Sequence, residues 1–163
     1  MNEQSEPKFG VAAPEDVVGL TGRQHLQAIM DGLLPAPPIA RTLSFTLVEI
    51  GDAFVRFEGR PGAHLLNPLG VVHGGWALTL IDTVTGCAAH STLPAGVGYA
   101  TIETKANFTR AITAQMGVVH AEGRVVGRGR SIISCEGRIT DARGRLLAHG
   151  TSTLMVLELE TDT

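Results

Sequence analysis

Within residues 67–90, NPLGVVHGGWALTLIDTVTGCAAH, Asp82 is the one carboxylate, set in an otherwise apolar run. Burying an ionised carboxylate without partners costs several kcal/mol, far more than one residue of helix propensity offsets. Asp82 must therefore face a polar cavity, a partner or a ligand. The bland alternative is that it reaches solvent or accepts from Thr79, Thr83, Thr85 or a nearby arginine. Upstream, His73-Gly74-Gly75 falls where the helix starts. A helix N-terminus carries unpaired N–H groups and about half a positive charge, which suits a carbonyl oxygen turning into an oxyanion. Glycine lets a substrate approach that backbone closely, although glycines also serve simply to make tight turns.

The elements that must position these groups are legible from periodicity. Trp76, Ala77, Leu80, Ile81, Val84, Cys87 and Ala88 place apolar groups around most of the circumference of a helix over residues 75–90, so protein nearly surrounds it. Ahead of it, residues 41–50 alternate Leu43, Phe45 and Leu47, and residues 53–60 alternate Ala53, Val55 and Phe57, with Gly51-Asp52 as a hairpin turn. Beyond it, strands are predicted over 101–108, 116–126, 131–140 and 146–157, the first with Ile102, Thr104, Ala106 and Phe108 on one face. The order β-β-α-β-β-β-β lacks the alternation of a parallel sheet. It implies an α+β fold in which an antiparallel sheet curls around one long helix. Thr21 is read as the cap of a short helix ending at Met30, followed by Gly32 and a Pro-rich loop. Residues 1–14 lack periodicity and are expected to fray, 15–40 form a flanking helix and loop, and 41–158 form the main domain.

A chain of 163 residues suits one domain with a single core. A net charge of −3 gives no basic footprint for nucleic acid. Asp82 interrupts the longest apolar stretch, so no run approaches the roughly 18 residues of a membrane span. The two cysteines, Cys87 and Cys135, read as buried thiols of a reducing cytosol, and a cytoplasmic protein is expected.

Asn67, the His73-Gly74-Gly75 turn and Asp82, followed by a strand opening Thr101-Ile102-Glu103-Thr104, resemble the hotdog-fold acyl-CoA thioesterases of the phenylacetate-degradation (PaaI-like) group over residues 41–157. The resemblance implies a sheet wrapped around the central helix and two subunits paired edge to edge. It implies that Asp82 acts as general base on water or as nucleophile forming a mixed anhydride, two roles that sequence leaves open. It places the oxyanion donor on the Gly74 N–H beside Gly75, sets Asn67 and His73 next to the thioester, and gives Thr101 the hydroxyl that positions water. Gly74 and Asp82 are eight residues apart, about 12 Å along one helix, whereas both must lie about 3 Å from the reacting centre. If both act on one thioester, they come from different subunits. The expected assembly is a homodimer, or a dimer of dimers, with acyl-CoA as its ligand and no cofactor.

Gly127-Arg128-Gly129-Arg130-Ser131 resembles the family's turn near the coenzyme A phosphates, with Arg130 and Ser131 ranked above Arg128; a solvated basic hairpin turn is the alternative. Arg110 matches a family position usually followed by proline, but Ala111 follows here. His25, His64, His90, His120 and His149 form no metal-ligand spacing and receive no function. No G-x-S-x-G elbow, Rossmann or P-loop pattern occurs. Two other functions remain open: an acyl-CoA hydratase or dehydratase, which needs a histidine opposite a carboxylate, and a non-catalytic acyl-CoA sensor.

Overall fold

The structure is a computed structural model and describes residues 8–159. Three short helices, α1 (Pro14–Val17), α2 (Gly22–Met30) and α3 (Pro38–Thr42), precede the hairpin of β1 (Phe45–Ile50) and β2 (Phe54–Gly59). A loop then leads to the long helix α4 (Gly74–His90), and β3 (Val97–Phe108), β4 (Val119–Arg128), β5 (Ile132–Asp141) and β6 (Leu146–Glu158) follow. The six strands lie in the order β1-β2-β4-β5-β6-β3, every neighbouring pair antiparallel. This is the expected α+β hotdog fold, a curled sheet wrapped around one central helix.

The sheet wraps α4 because it offers a lane of small residues beneath it. Strand register sets Val55, Gly123, Gly137, Gly150 and Ala106 side by side across β2, β4, β5, β6 and β3. A Cβ on Gly123 would overlap the Val84 carbonyl of α4, and one on Gly137 would crowd Ile81, Val84 and Thr85. Into that lane α4 buries Ala77, Leu80, Ile81, Val84, Thr85, Ala88 and Ala89. Trp76 is buried at the N-terminal end, its indole Nε1–H donating to the Leu43 carbonyl at 2.7 Å.

Element boundaries differ from the periodicity where the backbone turns. β1 begins at Phe45, because Arg41 and Thr42 finish α3 and Ser44 takes a left-handed φ of 55°. Leu43 is thus a helix C-cap and lies outside the strand. β4 starts at Val119, since the Met116 N–H closes a turn onto the Thr113 carbonyl and Gly117 has φ 81°. β3 starts earlier than expected, at Val97. Thr21 caps α2 as read, in a capping box with Gln24. Docking of α2 on the end of α4 uses the Gly22 N–H to the Leu93 carbonyl and a His25 Nδ1 to His90 Nε2 contact of 3.2 Å. Of the segment expected to fray, residues 1–7 lie outside the described residues. The rest pairs with the Pro-rich loop, through Gly10 N–H to the Ala36 carbonyl and Ala36 N–H to the Lys8 carbonyl.

Candidate active site

The N-terminus of α4 is built by a loop that Asn67 organises from within. Its Oδ1 accepts from the Leu69 and Val71 N–H groups, at 2.9 and 3.3 Å, and its own N–H donates to the Val71 carbonyl. The carbonyl end of the amide is spent on the loop, so its NH2 end is the part available to a ligand. His73 follows as the N-cap, with extended backbone, and its Nδ1 accepts from the Gly75 N–H at 2.9 Å. The His73 carbonyl takes the Trp76 N–H at 3.0 Å. Two of the helix's first donors are thereby satisfied. The Gly74 N–H finds no acceptor among the described residues. It opens on a cleft of about 320 Å³ shared by Asn67, His73, Phe108 and Arg110.

Two turns further along α4, Asp82 is half-buried and meets strand β3. Its Oδ1 accepts from Thr101 Oγ1 and Thr104 Oγ1, both at 3.0 Å. Among the described residues none of the expected local partners bonds the carboxylate: Thr79 donates to the Gly75 carbonyl, and the Thr85 hydroxyl lies 2.8 Å from the Ile81 carbonyl and 2.7 Å from Ser152 Oγ. Among the described residues no arginine, lysine or histidine pairs with Asp82. Both threonines reach it because β3 carries a bulge: Thr101 pairs with Leu154 and Glu103 with Thr153, leaving Ile102 as the extra residue. In a regular strand, residues three apart point to opposite faces; one inserted residue restores them to the same face. The expected face of Ile102 with Thr104 is therefore wrong, and Ile102 is 57% exposed.

Thr104 is the residue that sequence reading assigned only to packing. Its hydroxyl also lies 3.0 Å from Ser152 Oγ of β6, which in turn lies 2.7 Å from Thr85 Oγ1. Cys87, one turn beyond Asp82, is pushed up to about 12 by burial and then by the negative charge of Asp82. Burial also raises the Tyr99 phenol, with Cys87, Asp82 and Cys135 adding to it. Both stay protonated near neutrality, so Cys87 is no nucleophile.

The structure gathers Asn67, His73, Gly74 and Arg110 at one cleft and Thr101 and Asp82 at another place, about 12 Å along the helix by its rise. The basic turn belongs to neither. Arg128 is tied down, its guanidinium donating to the Thr92 carbonyl at 2.7 Å just past α4. Arg130 and Ser131 are exposed at the β4–β5 turn, where the Ser131 carbonyl accepts from the Val156 N–H.

Comparison with known proteins bears on this arrangement. The model of the thioesterase superfamily matches residues 69–148, from the loop before His73 through α4, β3, β4 and β5 to the first residues of β6. A search of curated proteins gave no match. Among solved structures, a phenylacetic acid degradation-related protein from Ralstonia eutropha is 26% identical, with a TM-score of 0.74 over 80% of this chain and 98% of that one. A conserved protein from Pseudomonas aeruginosa is 30% identical over 74% of this chain and 94% of its own, at a TM-score of 0.69. The PaaI protein of the Escherichia coli phenylacetic acid degradation operon, 18% identical, shares the fold at a TM-score of 0.72 over 86% of this chain and 96% of that one. With this architecture, and with the helix start and carboxylate inside the matched span, the chain belongs to the thioesterase superfamily.

Proposed function

We propose that this thioesterase hydrolyses acyl-CoA to the free acid and CoA at sites shared between two protomers. One observation carries the proposal. A single helix offers an N–H without an acceptor among the described residues at Gly74 and a hydroxyl-held carboxylate at Asp82, about 12 Å apart. That separation is too great for one thioester, and a second copy related by twofold symmetry brings the Gly74 end of one helix opposite the Asp82 of the other. Strand β3 supports the arrangement: it is an outer strand of the sheet, twelve residues long, with Ile102 and Phe108 more than half exposed. An unpaired strand edge is a template for another strand. A protomer added there meets both half-sites, Thr101 beside Asp82 and Phe108 at the lip of the cleft.

In this site the Gly74 N–H, aided by the dipole of α4, stabilises negative charge on the thioester oxygen. The Asn67 amide NH2 and His73 flank the acyl carbonyl, and Gly75 leaves the backbone open to it. Thr101 holds a water against Asp82. Asp82 either takes a proton from that water as it attacks, or attacks the carbonyl itself to give an anhydride that water then cleaves; in both cases CoA leaves as its thiol. Label found in the Asp82 carboxylate after a single turnover in 18O-water identifies the anhydride route, since water then cleaves the anhydride at the Asp82 carbonyl. His73 serves here as cap and wall, its Nδ1 lone pair engaged by Gly75, which disfavours a hydratase. Arg130 and Ser131 are assigned to the CoA phosphates, with Arg128 as a brace on α4. The two free thiols suit a reducing compartment, in keeping with a cytoplasmic enzyme.

A panel of acyl-CoAs with thiol detection tests the reaction class and the acyl preference together. Asp82→Asn, nearly isosteric, is expected to lower kcat by roughly 10²–10⁴-fold with folding and acyl-CoA binding retained. Tight acyl-CoA binding without thiol release across the panel would overturn the proposal in favour of a sensor.

A further inference from the structure

A buried chain of hydroxyls leads from the core to Asp82, and proton counting fixes its direction. A carboxylate only accepts, so the single Thr104 proton goes to Asp82 Oδ1. The Thr104–Ser152 contact at 3.0 Å then uses the Ser152 proton, and the Thr85–Ser152 contact at 2.7 Å uses the Thr85 proton, which Ser152 shares with the Ile81 carbonyl at 2.8 Å. Thr85 and Ser152 are both almost wholly buried, at 0% and 2% exposure. Hydrogen bonds aligned head to tail polarise one another, and the low dielectric strengthens each. Thr101 adds a second donor on the same oxygen, while Oδ2 has no donor among the described residues.

We infer that Thr85, Ser152 and Thr104 form a positioning relay that holds Asp82 as an oriented carboxylate through Oδ1 and leaves Oδ2 as the reacting atom. The inference rests on the hydrolytic reading of the site and deepens it. Neutral donors do this without a cation, which would neutralise the base they serve. The α4 position of Thr85 matters as much as its hydroxyl: it faces the glycine lane at Gly137, where a larger strand residue would displace it. The other ionisable groups around the carboxylate are uncharged near neutrality or lie in solvent. Cys87 on α4, Tyr99 on β3 and Cys135 on β5 are all held protonated by burial, and Glu103 and Lys105 of β3 are exposed.

The test uses the full-length enzyme with Thr104→Val, Thr104→Ser and Ser152→Ala, alongside Asp82→Asn. Loss of a donor to the charged form makes protonation easier. Thr104→Val is thus expected to move the acid limb of the kcat/KM profile to higher pH and lower kcat about tenfold, with KM little changed. Thr104→Ser restores both. Ser152→Ala, which touches no substrate and leaves Thr104 in place, shifts the limb the same way by less and moves the 13C resonance of the Asp82 carboxylate at neutral pH. A folded Thr104→Val enzyme with an unmoved acid limb overturns the relay, as does a Ser152→Ala enzyme with the wild-type resonance. If Asp82→Asn is inactive while either of those holds, the relay fails and the hydrolytic reading stands. If the resonance moves but wild-type protein releases no thiol from any acyl-CoA, the hydrolytic reading fails instead.

Discussion

Two carboxylates sit close to the core, and their partners separate structure from chemistry. Asp141 closes the β5–β6 turn, accepting the Arg143 and Arg145 N–H groups at 2.9 Å and the Arg145 Nε at 2.6 Å. Burial on its own pushes that carboxyl up, but the Arg145 and Arg143 hydrogen bonds and the Arg145 charge together hold it below the usual range. Asp82 receives hydroxyls only. The Asp141 arrangement has a pH consequence with a definite sign. A carboxyl held below its unfolded value of about 3.9 contributes stability above that pH, and the contribution is lost as pH falls through the folded value. Asp141→Asn should therefore melt lower than wild type at neutral pH, with the difference closing as pH drops below about 4. Parallel melting curves for the two proteins between about pH 2 and pH 6 would count against this account.

At the scale of elements, the contact between α4 and the sheet depends on what is missing from the strands. Gly123 has the Val84 carbonyl where a methyl group would go, and neither β4 nor α4 can yield without disturbing its neighbours. Gly127, further along the same strand, faces open space. Gly123→Ala is expected to cost about 1–3 kcal/mol by overpacking, whereas Gly127→Ala should fall within about 0.5 kcal/mol of wild type. Urea denaturation midpoints measure the pair. Equal midpoints would mean that the lane does not set the helix–sheet distance. The bulge in β3 acts at this scale too, since it turns Thr101 and Thr104 toward the same carboxylate.

For the whole molecule, the question is where one active site ends. Gly74 is the first residue of α4 and His73 before it is extended, with φ −60° and ψ 134°, so the backbone admits proline, which removes the N–H, while its Cβ at 3.2 Å from the Phe108 ring requires that ring to give by a few tenths of an ångström. Gly74→Pro and Asp82→Asn should each be nearly inactive. Composite sites predict that a mixture of the two, unfolded and refolded together, recovers about a quarter of wild-type activity. Half of randomly formed dimers are mixed, and each mixed dimer regains one of its two sites. Light scattering should give a mass at least twice the 17.1 kDa of the chain. Sites complete within one protomer would show no recovery on mixing.

Much of this was legible in order and spacing. Runs of alternation separated by Gly-rich turns, with one stretch apolar all round, dictate a curled sheet about a helix, because no other packing buries both. The lone carboxylate and the His73-Gly74-Gly75 helix start likewise announce themselves, since each is costly or conspicuous in its local setting. Thr104 and Ser152 did not, because a hydroxyl on an alternating strand reads as ordinary packing until a bulge and a cross-strand neighbour bring it to Asp82. The separation of Arg128 from the cleft was hidden for the same reason: its carbonyl partner, Thr92, lies 36 residues away. Local sequence sets element type through periodicity and caps. Register, bulges and contacts across strands depend on long-range pairing, and so tertiary structure alone decided which hydroxyls meet the carboxylate.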